Sequence, residues 1–258
     1  MILKKYLDST TDKQQADLIQ SVSLENIALI YQNKNDFEQA LRHFEEALEI
    51  QRKIGYKLGE SNTLSNIGLI FYKRQEFSKA LLYFEKALQI YLEIGDIIGE
   101  SNTYGNLGLV YHNIREFDKA LDFFEKALQI HNKLGDKFAQ ATDIGNIGVL
   151  YQNKFQFDKA LSYLNQTLSI YDDIGDKFGK SNTYGNIGLV YQNLQIFDKA
   201  LEFFEKALQI HREIGDKVGE AKDYGNIGIV YQTQGYDNKA LEFHEKALKA
   251  TLEKRGQS

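Results

Sequence analysis

Residues 96–135 read DIIGESNTYGNLGLVYHNIREFDKALDFFEKALQIHNKLG, and variants of this stretch fill most of the 258-residue chain. A first motif, Asn-Ile-Gly or a close variant, begins at Asn26, Asn66, Asn106, Asn146, Asn186 and Asn226. A second motif, Ala-Leu, begins at Ala40, Ala80, Ala120, Ala160, Ala200 and Ala240. Both motifs return every 40 residues without insertions. This regularity predicts one supersecondary unit stacked on copies of itself, rather than a globule around a single core.

Each unit reads as a helical hairpin. In the quoted stretch, Tyr104, Leu107, Gly108 and Tyr111 have the i, i+3, i+4, i+7 spacing of one helical face. This spacing predicts a first helix over about residues 97–114. A second apolar stripe, running to about residue 133, predicts a second helix, with Phe117 in the short link between the two.

Chemical signals mark the ends of the hairpins. A glycine that can end a helix in the left-handed conformation stands at Gly55, Gly95, Gly135, Gly175 and Gly215. An aspartate that can accept the free N–H groups of the next helix follows at Asp96, Asp136, Asp176 and Asp216. One two-residue signal therefore ends one hairpin and begins the next.

Further glycines fall on the apolar stripe inside the first helices, at Gly68, Gly108, Gly148, Gly188 and Gly228. Glycine costs about 1 kcal/mol relative to alanine inside a helix, so these positions need a reason. We expect the second helix to approach closely there, with the alanines of the Ala-Leu motif as the matching small surface.

Composition excludes several classes of protein. The absence of proline, with 26% charged and 43% hydrophobic residues, favours uninterrupted helices with one buried face. No apolar run approaches the roughly 20 residues of a membrane span, and the start of the chain lacks a signal peptide, so we expect a cytoplasmic location and no membrane partner. A net charge of −5 without a basic stripe argues against nucleic acid as a partner.

The residues of the repeat resemble a known family. Gly108, Tyr111, Ala120, Phe124 and Ala127 look like the signature of the tetratricopeptide repeat (TPR). The 40-residue period with Gly-Asp joints is similar to the long form found in Pins-type polarity adaptors and, more loosely, in kinesin light chains. The family's proline at the end of the hairpin is absent here.

The fold class that follows is all-α. The resemblance implies an α-solenoid of six stacked helical hairpins in a right-handed superhelix, with the first helices along its concave wall. We expect a single array over residues 1–258, with repeats centred on about 16–55, 56–95, 96–135, 136–175, 176–215 and 216–255. Residues 1–15, with Ile2, Leu3, Tyr6 and Leu7, would form an N-terminal cap or the remnant of an earlier hairpin.

A polar stripe on the first helix is the candidate binding face. Asn102, Asn106, Leu109 and Asn113 fall at i, i+4, i+7 and i+11, almost opposite the predicted core face. We call the six asparagines of the first motif the asparagine ladder. The predicted peptide-binding residues are Asn26, Asn66, Asn106, Asn146, Asn186, Asn226, Asn102, Asn182, Asn113, Asn153, Asn193, Leu109, Val149, Leu189, Gln152 and Gln192.

The carboxamide group explains why asparagine suits this face. It offers both donors and an acceptor, so a row of carboxamides can hold the backbone of an extended peptide, and a similar ladder holds peptides in related repeat proteins. Gly105, Gly145, Gly185 and Gly225 precede four of the asparagines and would let a ligand backbone come near. Two alternatives are that the amides bond a neighbouring helix and serve stacking, or that duplication copied them without a role.

No catalytic chemistry is evident in the sequence. The five histidines are scattered without metal spacing, so we expect them on the surface or partly packed. Gly-Asn-Ile-Gly lacks the lysine of a phosphate loop, and the serines lack a nucleophile elbow. We therefore predict no enzymatic activity, no metal site and no cofactor.

The sequence thus predicts an interaction scaffold that binds a protein or peptide segment in extended conformation. One alternative is a peptide-sensing regulatory module that changes its superhelical shape on binding. Another is a self-associating array, because Leu241, Phe243 and Leu248 of the last unit have no evident cover, which would make the protein a homo-oligomer.

Overall fold

The computed structural model describes the backbone of residues 2–255 and the side chains of residues 12–253. Within this range it contains twelve α-helices and no strand, which confirms the all-α prediction. The helices are α1 (Ile2–Asn33), α2 (Phe37–Ile54), α3 (Lys57–Lys73), α4 (Phe77–Ile94), α5 (Ile97–Asn113), α6 (Phe117–Leu134), α7 (Lys137–Asn153), α8 (Phe157–Asp173), α9 (Lys177–Asn193), α10 (Phe197–Ile214), α11 (Lys217–Thr233) and α12 (Asp237–Arg255).

Consecutive helices pack as hairpins, as predicted. α1 packs on α2, α3 on α4, α7 on α8, α9 on α10 and α11 on α12. In α5 and α6, the rings of Tyr104 and Tyr111 lie against Phe123, with centroids 6.0 and 5.4 Å apart. The chain divides into two compact units between Ile130 and His131, inside α6. We call residues up to Ile130 unit 1 and the rest unit 2.

The joints between hairpins have the predicted chemistry. Gly95 and Gly215 adopt φ values of 72° and 73°, the left-handed conformation that ends a helix. The side chain of Asp96 accepts hydrogen bonds from the backbone N–H groups of Ile98 and Gly99, both at 3.1 Å. Asp136, Asp176 and Asp216 cap α7, α9 and α11 in the same way. Each joint is therefore set by local hydrogen bonds as well as by packing.

The glycines inside the first helices permit a close approach, but not to the predicted partner. A Cβ atom on Gly108 would lie 2.6 Å from the ring of Phe124, and one on Gly188 would lie 2.6 Å from the ring of Phe204. The expectation that the alanines supply the facing surface was therefore wrong. The glycine makes room for a large side chain that follows one helical turn after the alanine of the Ala-Leu motif. The alanine is itself fully buried.

The first helices are buried on more than the one predicted side. In α5, Leu107 and Val110 are 1% and 0% exposed, and Thr103 is 1% exposed, whereas Tyr104 and Tyr111 are only partly buried. The physical reason is that α5 packs both on α6 and on α4 of the preceding hairpin. In the equivalent helix α3, the buried Thr63 lies 3.0 Å from the side chain of Gln51 in the preceding hairpin.

One detail differs from the sequence-based expectation. Phe117 is the first residue of α6 rather than part of the link. Residues 1–15 were expected to form a cap or a remnant of an earlier hairpin, and the backbone of residues 2–15 lies within α1. The predicted role of Ile2, Leu3, Tyr6 and Leu7 lies outside the described side chains. Among the described residues, no helix is apolar over a length that would let it cross a membrane.

Candidate functional site

The asparagine ladder lies on helices that contact one another within each unit. Asn26, Asn66 and Asn106 stand on α1, α3 and α5, and α3 contacts both α1 and α5. Asn26 is exposed, and the other two are partly buried. Among the described residues, no protein group hydrogen-bonds the side chain of any of the three. Their carboxamides therefore keep both donors and acceptors for another molecule.

A cavity of about 420 Å³ in unit 1 brings these three side chains together. Its lining comes from the first helices of three successive hairpins, together with Tyr91 of α4 and the joint before α5. The lining residues are Glu25, Asn26, Leu29, Asn62, Ser65, Asn66, Leu69, Tyr91, Asp96, Ile98, Gly99, Asn102, Thr103 and Asn106. Of the predicted residues outside the ladder, Asn102 also lines this cavity.

Hydrogen bonds hold the polar wall of the cavity in place. The hydroxyl of Tyr91 donates to Oδ1 of Asn62 at 2.7 Å. The hydroxyl of Thr63 donates to Oε1 of Glu25 at 2.5 Å. Burial raises the pKa of Tyr91, so its hydroxyl remains a donor. The cavity thus offers fixed carboxylates beside free carboxamides, a surface that can bind donors of a peptide backbone or side chain.

In unit 2, two polar atoms of the predicted face are buried without a partner. Nδ2 of Asn226 and Oε1 of Gln192 are shielded from solvent and form no hydrogen bond. Such groups are costly, because each loses its bonds to water and gains none in return. Asn146 and Asn186 of the same unit are partly buried and, within the described residues, have no hydrogen-bonding partner.

The glycines before the ladder differ in the space that they leave. A Cβ atom on Gly225 would meet no atom within 4 Å, and one on Gly185 would lie 4.0 Å from a carboxylate oxygen of Asp223. A Cβ atom on Gly145 would make ordinary contacts with Thr167, the nearest at 3.4 Å. The backbone at Gly225 is therefore open to a close approach.

The remaining predicted residues fall into two groups. Nδ2 of Asn113 donates to the hydroxyl of Tyr72 at 2.9 Å and to the carbonyl of Leu109 at 2.8 Å. Nδ2 of Asn182 donates to the carbonyl of Phe178 at 3.1 Å. These two amides are engaged inside the protein, and Asn113 links α5 to α3 as the stacking alternative expects. Leu109, Val149, Leu189 and Gln152 are partly buried, and Asn153 and Asn193 are exposed at the ends of α7 and α9.

Two buried histidines were missed by the sequence interpretation. His131 and His211 are 6% and 2% exposed, so the expectation of surface or partly packed histidines was wrong for both. Nδ1 of His131 lies 2.6 Å from Oδ2 of Asp143, and Nδ1 of His211 lies 2.6 Å from Oδ2 of Asp223. Each pair connects the end of one hairpin to the first helix of the next.

Burial sets the ionisation of these carboxyl groups. It raises the pKa of Asp143 and of Asp223 to about 6, against the opposing effect of the hydrogen bond and charge of the histidine. The sequence does contain a signal for these pairs, because two positions of the repeat change together. Where the second helix carries His131 or His211, the residue twelve positions later is aspartate, whereas Gln51 is followed at that distance by Thr63.

One of these pairs extends to a serine. The hydroxyl of Ser181 lies 2.9 Å from Nε2 of His211, so Ser181, His211 and Asp223 stand in the order of a hydrolase triad. Ser181 and Asp223 are 0% and 1% exposed, and the Ser181 hydroxyl donates to the carbonyl of Phe178 at 2.8 Å. A substrate could not reach this hydroxyl, so the three residues are a buried polar contact of the joint. No group of three or more histidine or carboxylate side chains that could hold a metal ion occurs in the described part of the chain.

Comparison with known proteins supports the repeat assignment. The family model described as Tetratricopeptide repeat matches residues 20–93, 99–173 and 180–253. A comparison with curated protein sequences finds no significant match.

Solved structures share the fold at low identity. BtubC (BKLC) from P. vanneervenii is 22% identical, with 85% of this chain and 92% of that chain covered and a TM-score of 0.71. Aspartyl phosphate phosphatase F from Bacillus subtilis is 12% identical, with 95% and 74% covered and a TM-score of 0.76. A signal transduction ATPase with a tetratricopeptide repeat sensor from Pyrococcus horikoshii is 21% identical, with 100% and 39% covered and a TM-score of 0.73.

Proposed function

Because the chain belongs to the tetratricopeptide repeat family, we propose that it is a protein-interaction scaffold that holds an extended peptide, or the tail of a partner protein, against the asparagine ladder. The fold of this family generally serves as a non-catalytic interaction surface. The observation that carries the proposal is the cavity of unit 1, where Asn26, Asn66 and Asn106 line one concave space and their amides lack protein partners.

The carboxamides of unit 2 support the same function. Asn146 and Asn186 are only partly buried and have no hydrogen-bonding partner within the described residues, so an extended segment could bond them through its backbone carbonyls and N–H groups. Each hydrogen bond contributes a net of roughly 0.5–1.5 kcal/mol, and association costs about 4–15 kcal/mol, so several amides must act together. Partly buried apolar side chains beside the ladder, such as Leu69 and Leu189, would add area and selectivity.

Peptide binding can be tested with a random library of acetylated, amidated decapeptides and the full chain. We expect binders whose affinity falls at least roughly 10-fold in the double variant Asn66→Ala, Asn106→Ala, since two buried hydrogen bonds are lost together. The matched control is Asn165→Ala, which removes an exposed carboxamide from α8. A library without binders, or a double variant that binds as well as the control, would refute the proposal.

Self-association is a second candidate function, favoured by the surface of α12. Leu241, Leu248 and Leu252 are 60%, 61% and 54% exposed. Their spacing places them on one face of that helix. Phe243, which was expected to share this face, instead packs on Tyr231 with ring centroids 5.5 Å apart. A second copy of the chain that covered these leucines would remove their apolar surface from water.

A further inference from the structure

We propose that the segment held at the unit 1 cavity carries a basic side chain, lysine or arginine, that lies against Glu25. This inference rests on the proposed function and names the class of ligand for that site. Its starting point is the composition of the cavity wall, which contains the carboxylates of Glu25 and Asp96 but no lysine, arginine or histidine.

The carboxylate of Glu25 is held in a fixed position. Its Oε1 accepts the hydroxyl proton of Thr63 at 2.5 Å, and Thr63 also lies 3.0 Å from the side-chain amide of Gln51. A hydroxyl has one proton, so Thr63 cannot donate to both groups. If the Gln51 amide is turned so that Nε2 faces Thr63, the hydroxyl accepts from Gln51 while it donates to Glu25, and Oε1 of Gln51 takes the buried position that Nε2 held. This chain of bonds orients Glu25 as an acceptor on the cavity wall.

In the described part of the chain, no cation balances the charge of Glu25. Among the described residues, no basic nitrogen lies within salt-bridge distance of Glu25 or Asp96. Asp96 differs, because its carboxylate accepts two backbone N–H groups at the start of α5, where the helix dipole favours negative charge. Glu25 instead lies inside α1, away from either end of that helix. Glu25 is partly buried in a concave wall, where its charge attracts a cation more strongly than it would on a flat, fully exposed surface.

Glu25 also distinguishes the first hairpin from the others. The residue immediately before the ladder asparagine is Glu25 in α1, Ser65 in α3 and glycine in the four later first helices. Carboxamides bind a peptide backbone regardless of its side chains, so they do not fix which ligand residue lies opposite which asparagine. A carboxylate at one end of a row of carboxamides fixes this alignment, because a basic residue of the ligand can occupy only the position opposite it.

The test uses the decapeptide library and the full chain described above. We expect the binders to be enriched in lysine or arginine over aspartate or glutamate at one position. Replacing that basic residue by methionine should weaken binding to the native protein roughly 3- to 10-fold. In Glu25→Gln the same replacement should change the affinity little, since the amide oxygen still accepts from Thr63 but carries no charge. The control Glu45→Gln removes a charge from an exposed position of α2.

The outcomes separate this inference from the function on which it rests. If binders respond to Asn66→Ala, Asn106→Ala but show no basic preference, the scaffold function stands and the inference is wrong. A basic preference that persists in Glu25→Gln, or a preference for acidic residues, also overturns it. If the library yields no binders that depend on the asparagines, the proposed function itself is wrong.

Discussion

Two glycines of unit 2 have opposite reasons for lacking a side chain. A Cβ atom on Gly188 would lie 2.6 Å from the ring of Phe204, which is fully buried, whereas a Cβ atom on Gly225 would meet nothing within 4 Å. Both lie inside helices, where alanine would be favoured by about 1 kcal/mol. Packing explains Gly188, and recognition of a ligand backbone would explain Gly225.

We therefore expect opposite effects from the same substitution. Gly188→Ala should lower the free energy of unfolding by roughly 1–2 kcal/mol, because the cost of overpacking exceeds the gain in helix propensity. Gly225→Ala should raise it by up to about 1 kcal/mol and weaken peptide binding. Urea denaturation of both variants checks the stabilities. Equal stability of the two would show that the contact with Phe204 is not the reason for Gly188.

Single residues were predicted well where the cause was local. The left-handed glycines and the aspartate caps depend only on the adjacent turn, and the structure confirms them. The links between paired helices were not predicted, since non-glycine residues such as Arg115 and Phe155 adopt φ values of 63° and 57° there. The links close with the same local hydrogen bonds as the glycine joints, such as Arg115 N–H to the carbonyl of His112 at 3.1 Å, but without a glycine they carry no signal in the sequence.

The helices are joined by contacts that depend on charge. Burial raises the pKa of Asp143 from 3.8 to about 6, so the folded protein keeps this proton at pH values where the unfolded chain has lost it. The stability contributed by Asp143 is therefore complete below about pH 4 and is lost as the pH rises through about 6. The negative charge of Asp136 also raises this pKa, whereas the hydrogen bond and the positive charge of His131 lower it.

Asp143→Asn removes this titration while keeping a polar side chain. The free energy of unfolding of the native protein, relative to this variant, should fall by on the order of 2 kcal/mol between about pH 4 and pH 7. Urea denaturation across this range measures the difference. The control Asp158→Asn, at an exposed position of α8, should show no such change. A difference that stays constant or grows with pH would contradict the assignment.

The bounds of the helices followed closely from the sequence, but their buried faces did not. α5 was expected over about 97–114 and spans Ile97–Asn113. The apolar period identified the face toward the partner helix. It could not identify the face toward the preceding hairpin, because that contact uses Thr63 and Asp143, which read as polar surface in a single sequence.

For the protein as a whole, the 40-residue period predicted the stacked units, and the resemblance carried by residues such as Gly108, Tyr111 and Phe124 predicted the family. The sequence did not show which asparagines of the candidate binding face are free and which are bonded inside the protein, since all of them fall on the same polar stripe. In the structure Asn106 lines a cavity, while the amide of Asn113 on the same stripe is bonded to Tyr72. Contacts between hairpins decide which amides are available.

The state of association can be measured directly. If α12 pairs with a second copy, the mass determined by light scattering should rise with concentration in the native protein, and Leu241→Lys, Leu248→Lys should shift it to the mass of one chain. Leu92→Lys, at a 53% exposed position of α4, is the matched control. A mass of one chain for the native protein at high concentration would exclude this function.

The residue pairs that bond across the joints restrict which duplications of the repeat preserve the fold. His131 faces Asp143 and His211 faces Asp223, whereas Gln51 faces Thr63. Unequal crossing-over that inserted one 40-residue copy after His131 could bring a threonine opposite the imidazole, leaving a buried ring without its carboxylate. Duplication of residues 132–211 keeps both pairs matched, because His211 then meets a copy of Asp143, so lengthening of this array should favour blocks that begin and end at a histidine joint.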